Sequence, residues 1–146
     1  MIIYLMFIHL SWKGRCEIVV SLTKYNPKVI VNLENGLYLF DNKSSTGKTR
    51  LFKCLRDNQK YGESVASYSY DDYLLGVPIE KVLVPNKYKV IMLDRYDMYN
   101  GTGKDLILSC SSNTIILLDC KKGLNFGVDY EICYLDMMDK SIEVTL

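Results

Sequence analysis

The residues best placed to do chemistry form one run, Asn42 to Thr49, reading NKSSTGKT. A lysine and a threonine that follow a glycine at the start of a helix suit a phosphate group. Backbone N–H groups would point at the anion, the Lys48 ammonium would reach its outer oxygens, and the Thr49 hydroxyl could ligate a divalent cation. Two apolar runs further on, YKVIMLD and NTIILLD, end in Asp94 and Asp119. The single histidine, His9, lies in an apolar segment with no nucleophile's setting around it, so it reads as structural or surface-exposed. Five cysteines, odd in number and without a C-x-x-C pair, are the pattern of reduced thiols in a cytosolic protein. With one histidine, they also argue against a structural zinc site.

A phosphate loop needs a strand to deliver it and a helix to receive it. LYLF, after the hairpin signal Asn35-Gly36, is the expected strand, and Asp41 to Gly47 the turn. Thr49 to Asp57 sets Leu51, Phe52 and Leu55 on one face, an amphipathic helix. Before the loop, IIYLMFIHL, CEIVVSL and KVIVNLE read as strands of a small antiparallel sheet. After it, strands are expected at 64–70, 88–94 and 113–119, and helical stretches at 71–83, with Asp71 as N-cap and a break near Pro78, and at 104–111. The runs VIML and IILL are what parallel strands covered on both faces look like. EICYLDM and SIEVTL close the chain as strands. NGTGKD, Asn100 to Asp105, is a loop and cap before a helix rather than a second phosphate loop, because Asp105 stands where a Ser or Thr is needed.

This arrangement resembles the P-loop NTPases. The pattern G-x-x-x-x-G-K-[ST] is met at Gly47, Lys48 and Thr49, with Asn42 in place of the first glycine; asparagine tolerates the left-handed backbone that position often needs. The resemblance makes NKSSTGKT a degenerate Walker A loop, with the amides of Ser44, Ser45, Thr46, Gly47, Lys48 and Thr49 around the phosphates. VIMLD looks like a Walker B strand, whose Asp94 would hold magnesium with Thr49. In the AAA-like and ABC-like branch the strand that follows is inserted between these two, and Asp119 would sense the γ-phosphate. A second register makes Asp119 the magnesium partner instead. The implied fold class is α/β: a mostly parallel sheet flanked by helices in one domain spanning 1–146, with residues 1–34 added as antiparallel strands.

The departures bear on catalysis. The glutamate that usually follows the Walker B aspartate is replaced by Arg95, which cannot act as a base, and Asp97 is the nearest substitute. Arg95 reads either as a charge aimed at phosphates or as a surface residue paired with Asp97 or Asp72. No N-K-x-D element reads guanine, and no lid or ABC-type signature is visible. The expected function is binding of ATP, in preference to GTP, with Mg2+, and weak or partner-dependent hydrolysis with Lys48 and Asp97 as the catalytic candidates. The alternative is a protein-binding or inhibitory module without catalysis.

Twelve tyrosines, clustered at 68, 70 and 73 and at 96 and 99, offer either core packing or a surface for a protein partner or homo-oligomer. Eighteen basic against seventeen acidic residues leave a net charge of +1, which does not indicate nucleic acid or an anionic membrane surface. MIIYLMFIHL lacks a basic start and a cleavage site and is too short to span a bilayer, so it reads as a strand of a cytoplasmic protein.

Overall fold

The structure, a computed structural model, describes residues 4–10, 16–22, 28–41, 47–122, 129–138 and 140–146, with side chains from residue 28 onward. Asn42, Ser44, Ser45 and Thr46 lie outside the described residues, as do the His9 and Cys16 side chains. In chain order the elements are β1 (Tyr4–Leu10), β2 (Cys16–Leu22), β3 (Lys28–Leu33), β4 (Gly36–Phe40), α1 (Lys48–Lys60), β5 (Val65–Tyr68) and α2 (Tyr70–Leu74). Then follow β6 (Val90–Leu93), α3 (Lys104–Cys110), β7 (Ile115–Leu118), β8 (Glu131–Met137) and β9 (Ser141–Thr145), with short 3-10 turns at Ile79–Lys81 and Tyr96–Met98.

All nine strands join one sheet in the order β1-β2-β3-β9-β8-β4-β7-β6-β5. Three of its eight pairings are antiparallel, β1 with β2, β2 with β3 and β8 with β9. The other five, β3 with β9 and those linking β8, β4, β7, β6 and β5, are parallel. The architecture is therefore a mixed sheet with few helices, which corrects the expected mostly parallel, helix-flanked sheet of a P-loop NTPase. Two physical causes are visible. The last two strands return between β4 and β3, so the N-terminal strands continue the same sheet rather than forming an appendage. The connections after β5 and β6 are also too rich in helix breakers to build long helices: Gly76, Asn86, Asn100, Gly101 and Gly103 all have positive φ, and Pro78 and Pro85 interrupt the first connection. Among the described residues only α1, thirteen residues long, is a helix of several turns. The hairpin expected at Asn35-Gly36 is absent, because β4 pairs with β7 and β8 while β3 pairs with β2 and β9.

The core explains why the site has rigid walls. Strands β5, β6 and β7 are buried at every residue, as continuous apolar strands covered on both faces should be. Alternate residues feed two clusters. Tyr38, Phe40, Met92 and Leu117 pack with the β3, β8 and β9 side chains under α1. Leu39, Ile91, Leu93 and Leu118 pack on the other face with Ile79, Leu83 and Ile107. Helix α1 buries Leu51, Cys54, Leu55 and Asn58, one stripe at helical spacing.

Candidate functional site

The strand register brings the site together. Leu93 of β6 stands opposite Leu118 of β7, so the next residues, Asp94 and Asp119, leave adjacent parallel strands side by side. Their main chains are fixed by short bonds: Asp94 N donates to Tyr68 O (2.9 Å), Asp119 N to Leu93 O (2.9 Å), and Tyr96 N to Asp119 O (2.8 Å). On the other side of β7 lies β4, whose chain runs through Asp41 toward the loop and α1. Lys48, the first residue of that helix, puts its Nζ 3.2 Å from Asp119 Oδ1, with both side chains largely buried at 11% and 16% exposure.

Gly47 caps α1 and packs onto β8. A Cβ there would meet Leu135 Cδ2 at 2.2 Å and Met137 Cγ and Sδ at 2.9 Å, so the loop's second glycine is required by close approach rather than by an unusual dihedral. Its φ is −98° and its ψ −14°. The N-terminus of α1 thus sits against the sheet at the end of β4.

Lys48, Thr49, Asp94, Arg95, Asp119, Cys120 and Lys121 line one polar cavity of about 480 Å³. Burial raises the Asp94 pKa above the usual carboxylate range, and a hydrogen bond to Asp119 and the charge of Asp119 raise it further, against the Tyr70 N–H and the Arg95 charge. Three cationic side chains against two carboxylates leave the cavity suited to an anion that arrives with a cation. Arg95 has φ 51° and ψ 45°, a left-handed backbone that costs a non-glycine residue on the order of 1 kcal/mol or more. That strained turn carries Arg95 at the cavity wall.

The sequence-derived residues fall into three groups. Lys48, Thr49, Asp94 and Asp119 come together, so the two registers weighed for the magnesium carboxylate meet in one place. Gly47 supports them from behind. Asp97 does not join them: its Oδ2 accepts from Lys122 N (3.0 Å), and it is not in the cavity lining. Asp72 is equally committed elsewhere, to Arg56. Sequence reading missed Cys120 and Lys121, for which adjacency to Asp119 is the only signal. It also missed the N-cap of α2, which is Ser69 and not Asp71; the S-x-x-D spacing from Ser69 to Asp72 is a capping-box signature.

The two tyrosine clusters are one. Tyr99 stacks on Tyr73 at 5.1 Å and meets Tyr96 and Tyr68 edge-on at 5.1 and 5.6 Å. Tyr68, Tyr96 and Tyr99 are buried, which removes them as a partner surface. The Tyr99 hydroxyl donates to the carbonyls of Asp94 and Tyr68, pinning the backbone that bears the Asp94 carboxylate.

The fit to magnesium rests on the donor set. Mg2+ is commonly held by one or two carboxylates together with substrate phosphates and water, and Asp94, Asp119 and the Thr49 hydroxyl around one cavity match that need. Among the described residues no group of three or more His, Cys, Asp or Glu side chains forms an all-protein metal cage. No helix among them is long and apolar enough to cross a membrane. No family model, curated protein or solved structure matches the chain.

Proposed function

We propose that the cavity at the start of α1 binds a nucleoside triphosphate, ATP in preference to GTP, together with Mg2+. The observation that carries this reading is the convergence of Lys48, Thr49, Asp94 and Asp119 on one polar cavity from positions up to seventy-one residues apart. Lys48 binds the outer phosphates, for which it exchanges its bond to Asp119. Thr49, Asp94 and Asp119 are the residues to hold the metal, which when bound neutralises phosphate charge. Arg95 and Lys121 add positive charge at the rim.

Hydrolysis by this chain alone is weak or needs a partner. Apart from the Asp94 and Asp119 pair, no carboxylate among the described residues lines the cavity, and Asp97 faces Lys122. A base for the attacking water would therefore come from elsewhere. Binding of a fluorescent ATP analogue tests the proposal: it should weaken in EDTA, be displaced by ATP more readily than by GTP, and fail with Lys48→Ala. Binding that survives Lys48→Ala would place the nucleotide elsewhere, and no binding to the wild type would end the proposal.

A further inference from the structure

Asp94 is held by a chain of bonds that begins outside the cavity. Its backbone N–H donates to Tyr68 O (2.9 Å), where the chain turns from β5 into α2. That turn is closed by a capping box: Asp72 N donates to Ser69 Oγ (3.0 Å) and Ser69 N to Asp72 Oδ2 (2.9 Å). The same Asp72 oxygen accepts from Arg56 Nη2 at 2.5 Å. Arg56 belongs to α1, the helix whose first two residues are Lys48 and Thr49. Its guanidinium also donates to Ser67 Oγ and Ser67 O, both at 3.2 Å, and lies 4.8 Å from the centre of the Phe52 ring.

A helix as short as α2 cannot hold its own position. It has five residues and buries none of them fully, and a single turn is far below the length at which helices persist unaided. Besides the stacking of Tyr70 and Tyr73 on Tyr99 and the bond from Asn100 Nδ2 to the Tyr73 hydroxyl, the bridge from Asp72 to Arg56 fixes it. We propose that Arg56 and Asp72 are positioning residues for the metal-side carboxylate: they clamp residues 67–72 to α1, so that the Tyr68 carbonyl, which accepts from Asp94 N, holds the end of β6 that carries Asp94. One helix then sets both halves of the site, the phosphate side through Lys48 and the metal side through Arg56. This inference rests on the cavity's being a Mg2+ and nucleotide site.

The test separates the metal-dependent part of binding from the rest. ATP affinity is measured by calorimetry with Mg2+ and with EDTA, for the wild type, Asp72→Ala, Arg56→Ala and the double variant. Outer groups that orient metal ligands typically contribute 10–100-fold to metal affinity. Asp72→Ala and Arg56→Ala should each weaken binding in Mg2+ by roughly tenfold or more, leave binding in EDTA nearly unchanged, and not add in the double variant. Asp72→Asn, which keeps an acceptor for Ser69 N but loses the charge facing Arg56, should fall between and serves if Asp72→Ala does not fold. Equal losses with and without Mg2+ would show a merely structural role, and no loss in Mg2+ would show no role; either overturns the inference while the nucleotide reading stands. A wild type that binds no nucleotide overturns both.

Discussion

Replacing Gly47 by alanine tests how α1 is seated against the sheet. The backbone at Gly47, with φ −98° and ψ −14°, is open to any residue, so alanine brings no dihedral strain. The cost comes from contact. The new methyl would lie 2.2 Å from Leu135 Cδ2, more than about 1 Å inside the roughly 3.5 Å at which carbons pack. Met137, half-exposed and flexible, can move aside, but Leu135 is 8% exposed and belongs to the cluster under α1 with Leu51 and Cys133. Overpacking of this kind costs about 1–3 kcal/mol. At about 3 °C per kcal/mol for a chain of this size, the melting temperature should fall by roughly 3–9 °C. Scanning fluorimetry on Gly47→Ala, Leu135→Ala and the double variant gives a complete cycle. Leu135→Ala alone should cost about 2–5 kcal/mol. In the double variant the alanine methyl enters the space vacated by the leucine, so the losses should fall short of additive by about 1 kcal/mol or more. A Gly47→Ala protein as stable as the wild type, or a strictly additive pair, would refute the close approach.

Two further outcomes follow from the buried polar groups. Burial and Asp119 raise the Asp94 pKa above its usual 3.8, so the stability this carboxyl contributes is present below about pH 4 and is lost as pH rises through the raised value. In EDTA at neutral pH, Asp94→Asn should therefore melt above the wild type, with the gap closing toward pH 4, while it abolishes Mg2+-dependent nucleotide binding; a lower melting temperature at neutral pH would contradict the raised pKa. Tyr99→Phe removes the hydroxyl that bonds the Asp94 and Tyr68 carbonyls in the core. It should cost about 1–3 kcal/mol in denaturant unfolding, and a change below about 0.5 kcal/mol would mean the bonds are not formed in solution.

Local structure was largely legible from the sequence, whereas strand pairing was not. CEIVVSL coincides with β2 as Cys16–Leu22, and VIML and IILL coincide with β6 and β7, because continuous apolar runs bounded by polar residues admit few other readings. Asn35-Gly36 misled because a turn signal constrains only the local chain, while β3 and β4 each take a partner, β9 and β8, from about a hundred residues later. The balance between a parallel and a mixed sheet was set by the return of β8 and β9, which no local pattern encodes.

The same division runs through the site. Lys48, Thr49, Asp94 and Asp119 could be picked out because each ends or begins an element, and parallel strands gather such ends at one edge of a sheet. Arg56 and Asp72 could not, since the first reads as the polar face of an amphipathic helix and the second as one of two acids at the start of an expected helix. Tyr68, Tyr96 and Tyr99 read as either core or surface because tyrosine is amphipathic, and their hydroxyls find backbone carbonyls inside the fold.

The central claim is that Lys48 and the two aspartates form a nucleotide site, and ligand-dependent stabilisation measures it most directly. With Mg2+ and ATP at about 100 times the dissociation constant, binding to the folded state alone adds roughly 2.7 kcal/mol. This corresponds to a rise of about 5–10 °C in melting temperature for a protein of this size. The wild type should show that rise and lose most of it in EDTA, and Lys48→Ala, compared with its own unliganded melt, should show none. A wild type that melts at the same temperature with and without Mg2+ and ATP or GTP, or a Lys48→Ala variant stabilised as much as the wild type, would contradict the account.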